Sequence, residues 1–507
     1  MTRLFERVPI YVLWLALLPA MALLASNLGQ VRPSIGYRAL LLSAGLAAVL
    51  LILFRLLLGD WSRAGLLTSL ALLLFFSYGH VYNTLRSFEL GFTLGRHRYL
   101  LPAWIVVGAG VAWLIWKRGS DSPGLSGALT LGLGVALLIP LVRILSFQIG
   151  WNSVSAANLP LLDNLEGDPL PDIYYIVLDA YTSGSVLLDI YEFDNEPFLN
   201  RLREMGFYVA NCSQSNYAQT ELSLAATLNM MYLDELIDES NSDRSQLWPL
   251  LRHSAVRLLF EDMGYNTVAL ETGYYWSEWE DADMYLAPDR GPMEGMNAYE
   301  STLLRSTVAW ALIDALPALP AFLVRDLDRS ADAHRERLLF VLEKLEQLPD
   351  QADPIFVFAH IVSPHRPFVF DASGNPTDDD YDWSPSEIGL DQYRAGYREQ
   401  VQYVNGRLEQ ILEQIIDQSD PPPIIVIQGD HGPEEGSATD RMSILNALYL
   451  GGSESNASDS KITPVNTFRL VLNDRFDASL PLLEDISYFS IYNDPFNYSE
   501  VSNECAR

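Results

Sequence analysis

Cysteine is nearly absent: the 507 residues hold two, Cys212 and Cys505. That excludes a fold held by a disulfide framework, because two cysteines allow at most one bridge. Whether they pair depends on the compartment, and the sequence leaves both states open. Lysine is also scarce, at three residues (Lys117, Lys344 and Lys461), so arginine supplies nearly all the positive charge. Basic charge as a whole is thin, with 33 Lys and Arg against 64 Asp and Glu. A chain with a net charge of −31 repels nucleic-acid phosphates, which argues against DNA or RNA as a partner.

The deficit is not evenly spread. The first 150 residues carry twelve basic and four acidic side chains, and the remainder carries 21 and 60. One part is apolar and mildly basic; the other is strongly acidic. The apolar part contains five stretches long enough to cross a membrane, about 8–31, 39–58, 64–85, 99–116 and 122–142. Each approaches the ~20 apolar residues that span the hydrocarbon core. The single charge inside them, Arg55, sits near an end, where it can reach the interface. The first stretch is long and lacks a small-residue cleavage site, so it reads as a signal anchor. An odd number of spans puts the termini on opposite sides. Loop charge does not orient them. Arg3, Arg7, Arg55, Arg63, Lys117 and Arg118 fall on one side, and Arg32, Arg38, Arg86, Arg96, Arg98 and Arg143 on the other. Residues 1–150 form a transmembrane domain, a plain anchor or a platform for a lipid substrate, and 151–170 read as a linker.

From residue 171 the pattern changes to alternating strands and helices. Continuous apolar runs at Ile173–Asp179, Pro354–Val362 and Pro423–Asp430 look like buried strands of a parallel sheet. Shorter strands are expected at Gly206–Asn211 and Asn266–Leu270. Helices are expected at Glu196–Met205, Thr220–Tyr232, Leu247–Met263, Ala331–Leu348 and Asp391–Gln418. This alternation predicts a doubly wound α/β sheet domain over 171–507, with ligands beyond the carboxyl ends of its strands.

Those ends carry the chemistry. Asp179 closes the first long strand, His360 and His365 end and follow the second, and Asp430-His431 closes the third. Three of the five histidines beyond residue 150 lie at these ends. Carboxylate oxygens with an imidazole suit one divalent metal, Zn or Mn, with a position left for a nucleophile or water. Thr220 opens a predicted helix, where the positive end of the dipole favours phosphate. Threonine is also a common N-cap, so it is the whole set in this order that points to catalysis. Tyr275 and Trp276, with Trp279 nearby, are candidate pocket residues that would serve equally as core.

The pattern resembles the alkaline phosphatase/sulfatase superfamily from about Pro171 onward. It is most similar to the membrane-bound branch that includes lipoteichoic acid synthase and the lipid A phosphoethanolamine transferases. The resemblance implies that Asp179 in IVLDAY, Asp430 and His431 in QGDHG, and Thr220 in QTELSLAATLN are metal ligands, with Thr220 the nucleophile. It implies that His365 in SPHRPF holds the substrate phosphate or protonates the leaving group. His360 and Arg366 are candidate substrate-binding residues without firm counterparts. A sulfatase would carry C/S-x-P-x-R at the nucleophile; here the stretch is TELSL. Phosphoryl chemistry is therefore expected over sulfate-ester hydrolysis, with one metal, since no D-x-x-x-H lies near His360. The expected enzyme is a phosphotransferase or phosphodiesterase acting on a cell-envelope lipid or glycan, its catalytic domain extracytoplasmic. A sulfuric ester hydrolase and a non-enzymatic envelope protein on the same scaffold are the alternatives.

Overall fold

A computed structural model describes residues 9–28, 31, 33–87, 97–118, 123–150, 169–240, 242–289, 297–315, 330–350, 353–381, 389–451 and 461–503. Two units emerge, one of residues 1–152 with 291–330, the other of 153–290 with 331–507.

In the first unit, four helices among the described residues are long and apolar enough to cross a membrane: Pro33–Leu58, Trp61–Leu85, His97–Lys117 and Gly124–Ser146. A fifth apolar helix, Tyr11–Ser26, is shorter, at 16 residues or about 24 Å of rise. It is the core of this unit: Tyr11, Val12, Ala16, Ala20 and Leu24 are buried. The other helices expose apolar faces, such as Leu41, Leu42, Ile105, Val106, Leu131 and Ile139. Such faces suit a hydrocarbon surround, where burial against neighbours is not required.

The expected continuous domain over 171–507 is interrupted. Helices Ala298–Arg305 and Val308–Ala315 belong to the first unit. Tyr299 and Leu303 join the core around Tyr11 and Leu24. The Tyr299 hydroxyl donates to the Ala20 carbonyl at 2.6 Å. Arg38 donates through both Nε and Nη2 to the carboxylate of Glu300, which is itself buried. The Gly79 amide donates to the Ser306 carbonyl at 2.9 Å. A Cβ on Gly79 would stand 2.6–2.7 Å from the backbone of Arg305 and Ser306, so only glycine permits this approach. Nothing in the sequence of 297–315 says which apolar surface it must cover, so the periodicity could not assign it.

The second unit is built on a seven-stranded sheet. Its strands are β1 (Ile173–Leu178), β2 (Tyr208–Val209), β3 (Asn266–Leu270), β4 (Met284–Leu286), β5 (Ile355–Ile361), β8 (Ile424–Gly429) and β9 (Asn446–Leu450), with a β6–β7 hairpin (Phe368–Phe370, Pro376–Tyr381) apart from it. The order is β2-β9-β8-β1-β5-β3-β4. Strands β8, β1, β5, β3 and β4 run parallel, while β9 is antiparallel to both β8 and β2. The sheet is therefore mixed at one edge. The three apolar runs are its centre, and every residue of β1, β5 and β8 is buried. The expected helix Leu247–Met263 is two helices, Trp248–Arg252 and Ala255–Asp262. Ser254 separates them by accepting the Arg257 amide as an N-cap.

Candidate active site

Sheet register places the acidic pair. Leu178 of β1 lies beside Ile361 of β5 and Gly429 of β8, so the next residues, Asp179 and Asp430, leave the sheet side by side. The Asp179 amide donates to the Ile361 carbonyl, and the His365 amide to the Asp179 carbonyl, which ties the two loops together.

Asp179, Asp430 and His431 are all buried, and each offers one ligand atom within 4.8 Å of the others. Their hydrogen bonds orient them. Asp430 Oδ1 accepts the amides of Ala180 and His431, both at 2.9 Å, while Oδ2 has no partner. Asp179 Oδ1 is likewise unpartnered. His431 Nδ1 donates to the Gly432 carbonyl at 2.8 Å, so Nε2 presents its lone pair to the carboxylates. Burial and the Asp179 charge push the Asp430 carboxyl above the usual range. Burial also opposes ionisation of Asp179, but His365 and then the hydrogen bond from His360 hold its carboxyl below the usual range. Burial, then the Arg441 charge, keeps His431 neutral by depressing its pKa. Two buried carboxylates with unpartnered oxygens and a neutral imidazole carry an uncompensated desolvation cost that a cation removes. The donor set thus fits one divalent ion with oxygen and nitrogen ligands.

Thr220 is the first residue of helix Thr220–Asn229, and its Oγ1 lies 3.0 Å from His431 Nε2. No side chain caps this helix; the Gln219 carbonyl takes the amides of Leu222 and Ser223. The loop before it is fastened to the end of β8. Ser215 Oγ donates to the Asp430 carbonyl, and Arg441 Nε donates to the Ala218 carbonyl at 2.9 Å. On the other flank, Gln219 Nε2 donates to Ser490 Oγ, and Arg244 binds Glu221.

His365 Nδ1 donates to the Arg366 carbonyl at 2.6 Å, which turns Nε2 toward Glu434, 3.9 Å away. Arg366 itself pairs with Glu434 at 3.2 Å. His360 is fully buried with Nε2 3.5 Å from Asp179 Oδ2, under the rings of Tyr274 and Trp276. Trp276 therefore borders the site. The Tyr275 ring lies against the Arg252 guanidinium. Trp279 is core, stacked on Phe358. Three residues that the sequence did not single out stand close by: Tyr274, Arg441, and His334, whose Nε2 is buried without a partner.

A family model described as Sulfatase matches residues 171–468. The chain belongs to the sulfatase family. No curated protein matches it. Among solved structures, it is similar to the C-terminal periplasmic domain of EcEptC from Escherichia coli in complex with Zn. That similarity is 13% identity over 69% of this chain and 97% of that one, with a TM-score of 0.42. It is also similar to the integral membrane lipooligosaccharide phosphoethanolamine transferase EptA from Neisseria meningitidis, at 13% identity over 87% and 88%, TM-score 0.38. A third is BT1596, a 2-O GAG sulfatase, at 12% identity over 61% and 71%, TM-score 0.37.

Proposed function

We propose that the chain is a membrane-anchored, metal-dependent enzyme that transfers or hydrolyses a phosphoester group through Thr220. One observation carries this reading: a threonine hydroxyl at a helix start lies 3.0 Å from His431 Nε2, beside two buried carboxylates with unpartnered oxygens. Asp179, Asp430, His431 and Thr220 would hold one Mn or Zn ion. Bound there, such an ion lowers the pKa of the threonine hydroxyl and neutralises charge on the phosphoryl oxygens.

The chain's own groups supply the rest. Thr220 Oγ1 loses its proton to solvent and attacks phosphorus in line, forming an Oγ–P bond as the bond to the leaving oxygen breaks. The uncapped helix start turns amide dipoles toward the developing charge. His365, fixed through Nδ1, presents Nε2 to hold the phosphate or to give the leaving oxygen its proton. An acceptor hydroxyl then takes the phosphoryl group from Thr220, giving a transferase; water in its place gives a phosphodiesterase. His360 and Trp276 form the inner wall, and Arg366 the outer one. The membrane-length helices favour a lipid or envelope-glycan substrate. Cys212 is disulfide-bonded, which suits an extracytoplasmic catalytic domain. Cys505 lies outside the described residues.

The family match keeps sulfate esters in view as the second reading, against which TELSL lacks the sulfatase Cys or Ser motif. The deciding experiment compares metal-dependent turnover of bis(4-nitrophenyl) phosphate and 4-nitrophenyl sulfate by wild type, Thr220→Ser and Thr220→Ala. We expect phosphodiester cleavage, lost in Thr220→Ala and partly kept in Thr220→Ser, with a phosphorylated Thr220 in the intact mass. Undiminished turnover by Thr220→Ala overturns the nucleophile. Turnover of the sulfate alone favours the second reading, and turnover of neither favours a binding protein.

A further inference from the structure

Arg441 stands in the short helix Ala438–Met442, ten residues beyond His431. A close backbone approach brings it back. The Gly432 amide donates to the Arg441 carbonyl at 2.6 Å, and a Cβ on Gly432 would lie 2.3 Å from the Asp440 carbonyl oxygen. Ser437 and Asp440 close a capping box that fixes the helix start.

The guanidinium is held from three sides. Nε donates to the Ala218 carbonyl and Nη1 to the Gly432 carbonyl, each at 2.9 Å, and Nη2 lies 3.2 Å from His431 Nε2. These contacts occupy three of its five N–H groups. None of them is a carboxylate. Elsewhere in this acidic unit Arg257, Arg337, Arg394 and Arg407 each lie against an acidic side chain. Arg441 makes no such contact; Arg398 and Arg469 share this, bonding only main-chain carbonyls, but of the three it is Arg441 that stands beside His431, in a partly buried position.

His431 Nε2 has a single lone pair, and two donors converge on it: the Thr220 hydroxyl and the Arg441 Nη2. A cation held by His431 takes that lone pair. The Nη2 N–H, still aimed there by the two main-chain carbonyls, then requires another acceptor beside Thr220. An oxygen of the group under attack is the acceptor whose charge matches.

We propose that Arg441 clamps a non-bridging oxygen of the tetrahedral oxyanion transferred at Thr220, an inference that rests on the Thr220 reading above. Phosphate and sulfate esters share this chemistry, and the test separates them.

The test measures binding of inorganic phosphate and, separately, inorganic sulfate to the metal-loaded full chain by calorimetry, with metal content and thermal unfolding read in parallel. We compare wild type, Arg441→Lys, Arg441→Gln and Arg441→Ala. Loss of one charge-assisted contact predicts that Arg441→Gln weakens the anion bound by wild type about tenfold or more. Metal content should stay unchanged. Lysine keeps charge without the fork and should fall between. Added guanidinium ion should restore binding to Arg441→Ala, which a purely structural role would not allow; that variant also serves if Arg441→Gln does not fold. The anion that wild type prefers gives the substrate class. If Arg441→Gln binds that anion as wild type does while Thr220 still forms its adduct, Arg441 is not the clamp. If wild type binds neither anion and forms no adduct, the Thr220 reading fails and this one with it.

Discussion

The amide of Ala180 donates to Oδ1 of Asp430 at 2.9 Å, across from one strand end to the next. It reaches that oxygen because Ala180 adopts φ 63°, a left-handed conformation costly for a residue with a Cβ. The Tyr397 hydroxyl holds the turn by donating to the Ala180 carbonyl at 2.6 Å. With the His431 amide on the same oxygen, Asp430 has Oδ1 saturated and Oδ2 3.3 Å from His431 Nε2. The turn therefore decides which oxygen meets a cation.

This arrangement predicts opposite effects of one substitution in two states. With metal bound, Asp430→Asn removes a charged ligand and should lower the melting temperature along with metal content. After chelation the same substitution removes a carboxyl whose ionisation burial and the Asp179 charge oppose, and should raise the melting temperature above that of chelated wild type. A ligand at 100 times its Kd stabilises by about 2.7 kcal/mol, so wild type itself should melt several degrees lower in chelator. Differential scanning with and without chelator reads all four values. A destabilised Asp430→Asn in chelator as well would mean that the carboxylate is needed for packing rather than for an ion.

His334 gives the acid side of the stability profile. Burial, then the charges of Arg337 and His365, depresses its pKa to about 3. In the unfolded chain it titrates at about 6.5. Between those values the unfolded state binds the extra proton, so stability is full above pH ~6.5 and declines as pH falls toward the native pKa. The slope from this one residue approaches about 1.4 kcal/mol per pH unit inside that window. Replacing His334 with Leu should flatten the decline, measured by urea unfolding from neutral pH down to pH ~4.5. An unchanged slope would show that other groups dominate there.

In the membrane unit, Gly79→Val should drive the Ala298–Arg305 segment away. Its Cβ would occupy space held by the Ser306 backbone, and no side-chain rotation relieves that clash. Glu300→Gln should act more weakly, because it leaves a hydrogen-bonding partner for Arg38 and keeps most of the capping geometry. Proteolysis in detergent micelles, followed by mass mapping, should show new cleavage within 297–315 for Gly79→Val first. Equal protection of both variants would contradict the packing described.

Much of the candidate site is legible in the sequence because it sits where strong signals end. Asp179, Asp430 and His431 each follow an uninterrupted apolar run, and parallel register then forces the run ends together. Thr220 was legible through its company rather than by itself. Arg441 was not, because a five-residue helix has no period and its approach depends on Gly432 lacking a Cβ, which would stand 2.3–3.0 Å from three carbonyl oxygens. Of the aromatic run Tyr274 to Trp276, the rings of Tyr274 and Trp276 lie over His360 and that of Tyr275 over Arg252. Side-chain direction in a three-residue 3₁₀ turn follows no spacing rule that would have chosen among them. The mixed edge of the sheet was missed for a similar reason: β9 is as apolar as a parallel strand, and only its hydrogen bonds reveal its direction.

The chain passes between the two units three times, near residues 152, 290 and 330. A catalytic head joined at one point could be shed by one protease cut. This one could not: cutting at the first crossing leaves it joined through 291–330. A secreted form would need those residues excised too, and a fragment begun at Pro171 would carry Tyr299 and Leu303 into water without the surface they cover.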